Sequence, residues 1–338
     1  MTRPRVLFLS RTRYTLPLAP GRAAKFDALE SELEVHVLAA AAPGSRTRDG
    51  RFTLVAPFVL RQLDGVLFWL LLPFRAARML RRLRVAAVIC QTPYEAAAAL
   101  AARALAGVSA RVVVEIHADW RTSTRLYGSP ARRLVAPVGD AVAARALRRA
   151  DVVRTVSPFT SRLVRAMGVE PAGEFPAYME LRPFAAPRRA LPDRPQALFV
   201  GVLEPYKNVD GLAAAWRLVA ERLPQASLRV VGRGSLADVV ERLVAECDVR
   251  WDPELTAAEV ADALDDAWVL VLPSRSEGMG RVLVEAFCRG RGVVGSRAGS
   301  IPDLVEEGVA GLLVDADDVS ALADALVRVL SDRALAER

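Results

Sequence analysis

Between Trp268 and Ala286 the chain passes from an unbroken apolar run, through a loop with two glycines, into a helical pattern. No other stretch constrains the fold as tightly. Trp268 to Leu272 reads as a strand buried on both faces, the form expected in a parallel sheet. The loop is Pro273-Ser274-Arg275-Ser276-Glu277-Gly278-Met279-Gly280, and the helical pattern then holds through about Arg289. Glu277 sits in the loop and Glu285 in the helix. Eight residues at helical rise put these carboxylates roughly 12 Å apart at most. A retaining acid/base pair needs about 5 Å, so that role does not fit. The spacing suits two acceptors gripping opposite ends of one elongated polar ligand. Between them stands a helix N-terminus, which favours phosphate. A ligand with hydroxyls at both ends and phosphate in the middle is a nucleotide sugar. The plain alternative is two solvated glutamates flanking an ordinary helix start, and for the bare spacing that alternative would suffice.

The rest of the chain supplies the setting. Its 338 residues allow two domains, each with a full core. With 52% hydrophobic and 25% charged residues it is a globular chain, not a disordered one. No run approaches the roughly 20 apolar residues of a membrane span. Val6–Leu9, directly after Met1–Arg5, is too short for a signal-peptide core and reads as a first strand. Cys90, Cys247 and Cys288 have neither metal nor disulfide spacing, so a reducing cytoplasm is expected. Charge divides the chain: residues 1–190 carry 30 Lys/Arg against 14 Asp/Glu, and residues 191–338 carry 16 against 25. A cationic half could face nucleic acid, anionic lipid or an anionic acceptor.

Taken in order, Val6–Ser10 is the first strand, and a long loop, Arg11 to Gly21, leads to a helix from Ala23 to Glu30. Val35–Leu38 and Leu54–Ala56 are strands. Gly65–Arg75 is apolar and runs into Arg75, Arg78, Arg81, Arg82 and Arg84. Pro73 and its length exclude a span; it is either a buried helix or a helix lying on anionic membrane, the arginines favouring membrane contact. Val85–Cys90 is a strand before the helix Glu95–Ala106, and Arg111–Ile116 is a strand ending at His117-Ala118-Asp119. His117 is thus at the carboxyl end of a parallel strand, where open α/β sheets bind ligands. His36 alternates within a strand and reads as structural. Ala131–Arg149 is a long helix, and Ser157 a good N-cap. The proline-rich stretch Pro183 to Pro195 reads as an interdomain linker. Beyond it, Ala197–Val202, Leu228–Val231, Val249–Trp251, Trp268–Leu272, Val293–Gly295 and Gly311–Val314 are strands with helices between, hence a second parallel sheet. Asp315-Ala-Asp317 has metal-motif spacing, but it precedes the helix Val319–Leu330 and reads as a cap.

The frame around Glu277 and Glu285, an apolar strand, Pro-Ser, Glu-Gly-x-Gly, then Glu-Ala, resembles the E-x7-E signature of the retaining, metal-independent glycosyltransferases of family 4. The likeness covers nearly the whole chain and is strongest from 197 to 315. It implies a GT-B fold: two Rossmann-like domains with parallel sheets facing across a cleft, an acceptor-side domain over 1–187 and a nucleotide-sugar-binding domain over 188–338. It further implies that Glu285 accepts from ribose hydroxyls, that Glu277 with the amides of Gly278, Met279 and Gly280 holds the sugar, and that Lys207 neutralises the diphosphate. Lys207 is one of only two lysines, the other being Lys25. His117 matches a histidine placed against the transferred sugar. Gly21 matches the first of a glycine pair facing the diphosphate, but Arg22 replaces the second, and Val202 stands where the family has an arginine. Arg22, with Arg11 and Arg13, is the expected substitute cation. The family usually continues with a helix crossing back to the first domain, and a chain ending at Arg338 has that element short or missing.

The expected activity is sugar transfer from a nucleotide sugar to a lipid-linked or anionic glycan, with no cofactor and no metal. Peripheral membrane contact through the basic half, at the inner face of the membrane, goes with it. Three alternatives stand beside it. Arg22 and Val202 fit a degenerate, non-catalytic nucleotide-sugar binder. The cationic half fits a nucleic-acid binder, although no aromatic–basic motif accompanies it and no nucleic-acid partner is expected. A GT-B phosphorylase would need a lysine for pyridoxal phosphate.

Overall fold

The computed structural model describes the backbone of residues 3–18, 20–58, 64–122, 130–187 and 189–338; the side chains of 20–22 and 130–135 lie outside the description. These residues form two compact units, one ending at Tyr178 and the other beginning at Met179.

The first unit is an eight-stranded sheet in the order β3-β4-β2-β1-β5-β6-β7-β8. The strands are β1 (Arg5–Tyr14), β2 (Glu34–Ala41), β3 (Arg48–Asp49), β4 (Phe52–Val55), β5 (Ala87–Cys90), β6 (Arg111–Ile116), β7 (Val152–Thr155) and β8 (Gly173–Glu174). Every pairing is parallel except β3 with β4, a short hairpin in the loop expected between the second and third strands. Helices α1 (Pro20–Glu30), α2 (Asp64–Leu83), α3 (Pro93–Ala106), α4 (Pro130–Arg149) and α5 (Pro158–Arg165) lie between them. Alternate residues of β1 serve opposite layers: Leu7 and Leu9 join Leu72, Ala99 and Val114, while Val6 and Phe8 join Phe26 and Phe52. Burial on both faces is why Val6–Leu9 of this strand is an unbroken apolar run. β1 is longer than expected, running to Tyr14, whose ring packs 5.5 Å from that of Phe52. The loop expected from Arg11 to Gly21 therefore begins as strand through Tyr14, and Gly21 and Arg22 are in the first turn of α1.

The second unit is a six-stranded parallel sheet in the order β11-β10-β9-β12-β13-β14. Its strands are β9 (Gln196–Val200), β10 (Ser227–Val231), β11 (Val249–Asp252), β12 (Val269–Leu272), β13 (Gly292–Ser296) and β14 (Gly311–Val314). Numbered from β9, this is the doubly wound order 3-2-1-4-5-6. Helices α6 (Val209–Arg222), α7 (Ala237–Glu246), α8 (Ala257–Asp265), α9 (Arg281–Cys288), α10 (Ile301–Leu304), α11 (Val319–Ser331) and α12 (Arg333–Glu337) complete it. Phe199 and Leu198 again point to opposite core layers, the first with Trp216 and Val230, the second with Leu264 and Leu272.

The proline-rich stretch read as a linker is strapped to this second unit. Phe184 and Leu191 are buried in its core. Arg289, 2% exposed, donates to both oxygens of Asp265 and to Ala186 O at 2.8 Å. Arg291, 1% exposed, donates to Leu264 O at 2.9 Å and Arg189 O at 3.1 Å. Buried charges are tolerated here because each is met by an oppositely charged or carbonyl partner. Proline spacing gives no hint of partners a hundred residues away.

Candidate functional site

In a doubly wound sheet the crevice lies where strand order reverses, outside the carboxyl ends of the strands. In the second unit that point falls between β9 and β12, which pair through Ala197 and Leu198. The loop after β9 carries Lys207, and the loop after β12 carries Glu277. Lys207 Nζ donates to Glu277 Oε2 at 2.5 Å, with the side chains 11% and 14% exposed.

Each loop is held by local chemistry. Glu204 accepts from Ser235 N at 3.1 Å and Ser235 Oγ at 2.8 Å, tying the β9 loop to the β10 loop. Gly232, at φ +140°, makes that approach possible: a Cβ there would fall 1.9 Å from Gly201 O. Asn208 adopts φ 56°, where asparagine is tolerated, and its side chain accepts from Gly211 N to start α6. Arg275 N donates to Tyr206 O at 2.7 Å, joining the β9 and β12 loops through backbone. The Arg275 guanidinium grips Asp210 with two bonds of 2.9 and 3.0 Å and Asp317 with one of 2.7 Å. Burial, with Glu277 and Glu204 nearby, pushes the Tyr206 phenol up to about 12.

Glu277 is fixed from a third loop that the sequence did not single out. Ser300 N donates to Glu277 O at 2.9 Å. Gly299, at φ +60°, lies so close that a Cβ would come 2.1 Å from Glu277 O. The only signal in the sequence was a glycine shortly after a predicted strand end. Gly278, Met279 and Gly280 are buried, and Gly280, at φ 63°, begins α9 with no side-chain cap. No side chain therefore meets the first-turn N–H groups of α9, of which that of Leu283 turns back to Gly280 O at 2.9 Å, and the helix start suits an anionic ligand. Glu285 lies half-buried in α9. Its carboxyl accepts no hydrogen bond among the described residues, and burial raises its pKa, with Arg281 drawing it back.

The aspartates of the Asp315-Ala-Asp317 run part ways. Asp318, not Asp317, caps α11 by accepting from Ala321 N at 2.8 Å, and Asp317 is bound by Arg275. Among the described residues no group of three or more His, Cys, Asp or Glu gathers as metal ligands would. Val202 is 45% exposed and contributes no cation.

In the first unit the reversal falls between β1 and β5, and Glu95 sits there, 3% exposed. It accepts from Arg11 N at 2.7 Å, Gln91 N at 2.9 Å and Thr92 N at 3.0 Å, tying β1 to the residues that follow β5. Burial raises its carboxyl, against these donors. His117, just beyond β6, donates from Nε2 to Glu115 Oε2 at 3.3 Å, and Arg154 donates to Glu115 Oε1 at 2.5 Å. Burial would raise the Glu115 carboxyl, but His117 and Arg154 outweigh it and hold it below its usual range. Neither Glu115 nor Arg154 was singled out from the sequence; alternation along β6 would place Glu115 and His117 on one face. Arg13 is engaged with Asp64 at 2.9 Å. The side chain of Arg22 lies outside the described residues, as does anything that side-chain packing would say of Gly21.

So the structure joins Lys207 and Glu277 to one uncapped helix start, with Glu285 one to two turns further along that helix. A family model described as "Glycosyl transferase 4-like domain" matches residues 13–174, and one described as "Glycosyl transferases group 1" matches residues 194–332. A GDP-mannose-dependent alpha-(1-6)-phosphatidylinositol monomannoside mannosyltransferase of Mycolicibacterium smegmatis is 33% identical over 217 residues, 56% of this chain and 57% of that protein. A D-inositol 3-phosphate glycosyltransferase of Streptomyces griseus is 35% identical over 181 residues, 47% of this chain and 38% of that one. The matches thus span about half, or less, of the curated relatives. The solved sucrose-phosphate synthase of Thermosynechococcus elongatus superposes with a TM-score of 0.75 at 19% identity, over 99% of this chain and 92% of its own, and so shares the fold.

Proposed function

We propose that this chain, which belongs to the family-4-type glycosyltransferases of the GT-B fold, moves a sugar from a nucleotide-sugar donor to a lipid-linked or anionic glycan acceptor of the inositol type. The observation that carries the reading is the Lys207–Glu277 pair at the strand-order reversal, beside the uncapped start of α9. Lys207 and the α9 amides receive the diphosphate, whose charge grows as the glycosidic bond breaks. Glu285 accepts from the ribose hydroxyls at one end, and Glu277 with the 278–280 backbone holds the sugar hydroxyls at the other. His117, Gly21 and Arg22, all in the first unit, are assigned to the sugar and the diphosphate on family likeness.

The reaction proceeds with retention and without metal. The acceptor oxygen bonds to the anomeric carbon on the face from which the diphosphate leaves. The carbon–oxygen bond to the diphosphate breaks, and a diphosphate oxygen takes the acceptor proton. No protein nucleophile is needed. No separate cofactor is needed either. Names of relatives supply the acceptor class and the first donor to try: a phosphatidylinositol mannoside or inositol phosphate, and GDP-mannose. The same reading puts the chain in the cytoplasm, working at the inner face of the membrane.

The test is incubation with GDP-mannose or UDP-sugars and vesicle-borne phosphatidylinositol or free inositol phosphate, with and without chelator, followed by mass spectrometry. Glycosylated acceptor in both conditions is expected. Absence of product together with absence of binding by any nucleoside diphosphate would contradict the reading.

A further inference from the structure

The end of β6 reads Glu115-Ile116-His117, and strand alternation puts Glu115 and His117 on one face. The parallel register of β6 with β7 sets Arg154 directly opposite Glu115. One carboxylate thus serves two partners. Oε1 accepts from Arg154 Nη1 at 2.5 Å, and Oε2 from His117 Nε2 at 3.3 Å. Arg154 is itself pinned. Its Nη2 donates to Phe175 O at 3.2 Å and Pro176 O at 3.3 Å, and its guanidinium carbon lies 3.5 Å from the centre of the Phe175 ring. The Glu115 and Arg154 side chains are 17% and 13% exposed, that of His117 32%.

The proton between Glu115 and His117 has one possible owner. Against the pull of burial, His117 and Arg154 hold the Glu115 carboxyl below its usual range. An ionised carboxylate accepts and cannot donate, so Nε2 carries the hydrogen. In a neutral imidazole Nδ1 is then the acceptor. Among the described residues Nδ1 meets no hydrogen-bond partner. A purely structural ion pair would spend both oxygens on the guanidinium, as Asp265 does with Arg289. Glu115 gives Arg154 one oxygen and the ring the other. The chain also holds a solvated counterpart: Glu34 and His36 have the same spacing on β2, with Arg5 opposite Glu34. There Glu34 and Arg5 are 43% and 50% exposed at the amino end of the strand, where water competes and no ligand crevice opens. The Glu115 group is enclosed and stands at the carboxyl ends of its strands, on the ligand side.

We propose that Glu115 is a positioning residue for sugar transfer: it locks His117 as the Nε2-protonated tautomer and so leaves Nδ1 to accept from a hydroxyl of the bound sugar. This role rests on the reading of His117 as a sugar contact, but the tautomer is read without turnover, so the two can fail separately.

The test is imidazole-nitrogen NMR of the full chain carrying isotope-labelled histidine, at alkaline pH, where an imidazole ordinarily holds one proton. His36 and His117 are the only histidines, and His36→Gln assigns them. Wild-type His117 should show the Nε2–H tautomer. Glu115→Gln keeps the shape and reverses the pattern. Its carbonyl oxygen must face Arg154, which only donates, and its amide N–H is left to His117. Nε2 must then accept, and the ring should flip to the Nδ1–H tautomer. Arg154→Met breaks the same ion pair but leaves the ring its carboxylate, so it should keep Nε2–H. In transfer assays Glu115→Gln should lower kcat about tenfold, the scale of one charge-assisted hydrogen bond, with donor KM within about twofold. In a His117→Ala background it should cost nothing further, because a residue acting through another loses its effect when that other is gone. A ring that stays Nε2-protonated in Glu115→Gln, one that flips equally in Arg154→Met, or a Glu115→Gln penalty that persists in full without His117 would overturn the proposal.

Discussion

Lys207 and Glu277, seventy positions apart in sequence, are joined across two loops by a 2.5 Å ion pair. The strand order makes the pair: β9 and β12 are neighbours, so the loops that follow them meet. The two groups assigned to the donor's diphosphate and sugar thus satisfy each other. On the proposed reading, a diphosphate entering the site would compete with Glu277 for the ammonium and release the carboxylate toward the sugar. Lys207→Met should leave Glu277 in a largely enclosed place without its partner. Removing one member of such a pair costs on the order of 3 kcal/mol. Urea unfolding should register that loss, and nucleoside diphosphate affinity should fall in parallel.

Glu285 should trade stability for binding. Burial raises its carboxyl above the ordinary 4.5. A raised value means that the folded chain holds the proton more tightly than the unfolded one. The associated stability is full below pH 4.5 and is lost as pH climbs through the raised value. Above that raised value the ionised carboxylate therefore weighs against the fold. Glu285→Gln should leave the melting temperature unchanged or higher, while affinity for donor and for free nucleoside diphosphate falls by about 1.5–3 kcal/mol. Calorimetry reads both. A variant that loses stability and keeps affinity would remove Glu285 from the ribose end.

Gly299→Ala tests the third loop. The new methyl would meet Glu277 O, and the residue would be held at a positive φ. The expected cost is about 1–3 kcal/mol of stability. Because the clash is with the Glu277 backbone, turnover should drop further than the donor KM rises. Unchanged kinetics would mean that the loop gives way without moving Glu277.

Asp317 should prove structural. It is bound to Arg275, which also holds Asp210, so Asp317→Ala should trim stability by no more than about 1 kcal/mol, the scale of an exposed pair. Transfer should persist in chelator. Loss of transfer in chelator, with rescue by manganese, would return Asp315 and Asp317 to the site.

Much of this was legible in the sequence. The apolar runs named the strands because parallel strands are buried on both faces, and Gly280 followed by α9 was readable as a helix start. The Lys207–Glu277 pair was not, because neither position says that β9 and β12 are adjacent. Arg154 was missed for the same reason, lying on the neighbouring strand β7, whereas alternation along β6 could have found Glu115 beside His117. Asp318 was passed over as the cap of α11 because Asp315 and Asp317 drew attention by their spacing. In α2 the apolar run is only partly buried. Phe68 and Leu72 point inward, Leu70 and Phe74 outward, and an all-round apolar segment conceals that division.

The most direct measurement titrates GDP and UDP into the wild type and Glu277→Gln by isothermal calorimetry, with transfer assayed on the same samples. Glutamine removes the carboxylate that occupies Lys207, so free diphosphate should bind Glu277→Gln as tightly as the wild type or more tightly. Sugar transfer should fall, because the grip on the sugar hydroxyls is weakened. A Glu277→Gln protein that loses diphosphate affinity, or that transfers sugar at the wild-type rate, would contradict the division of the site into a Lys207 diphosphate end and a Glu277 sugar end.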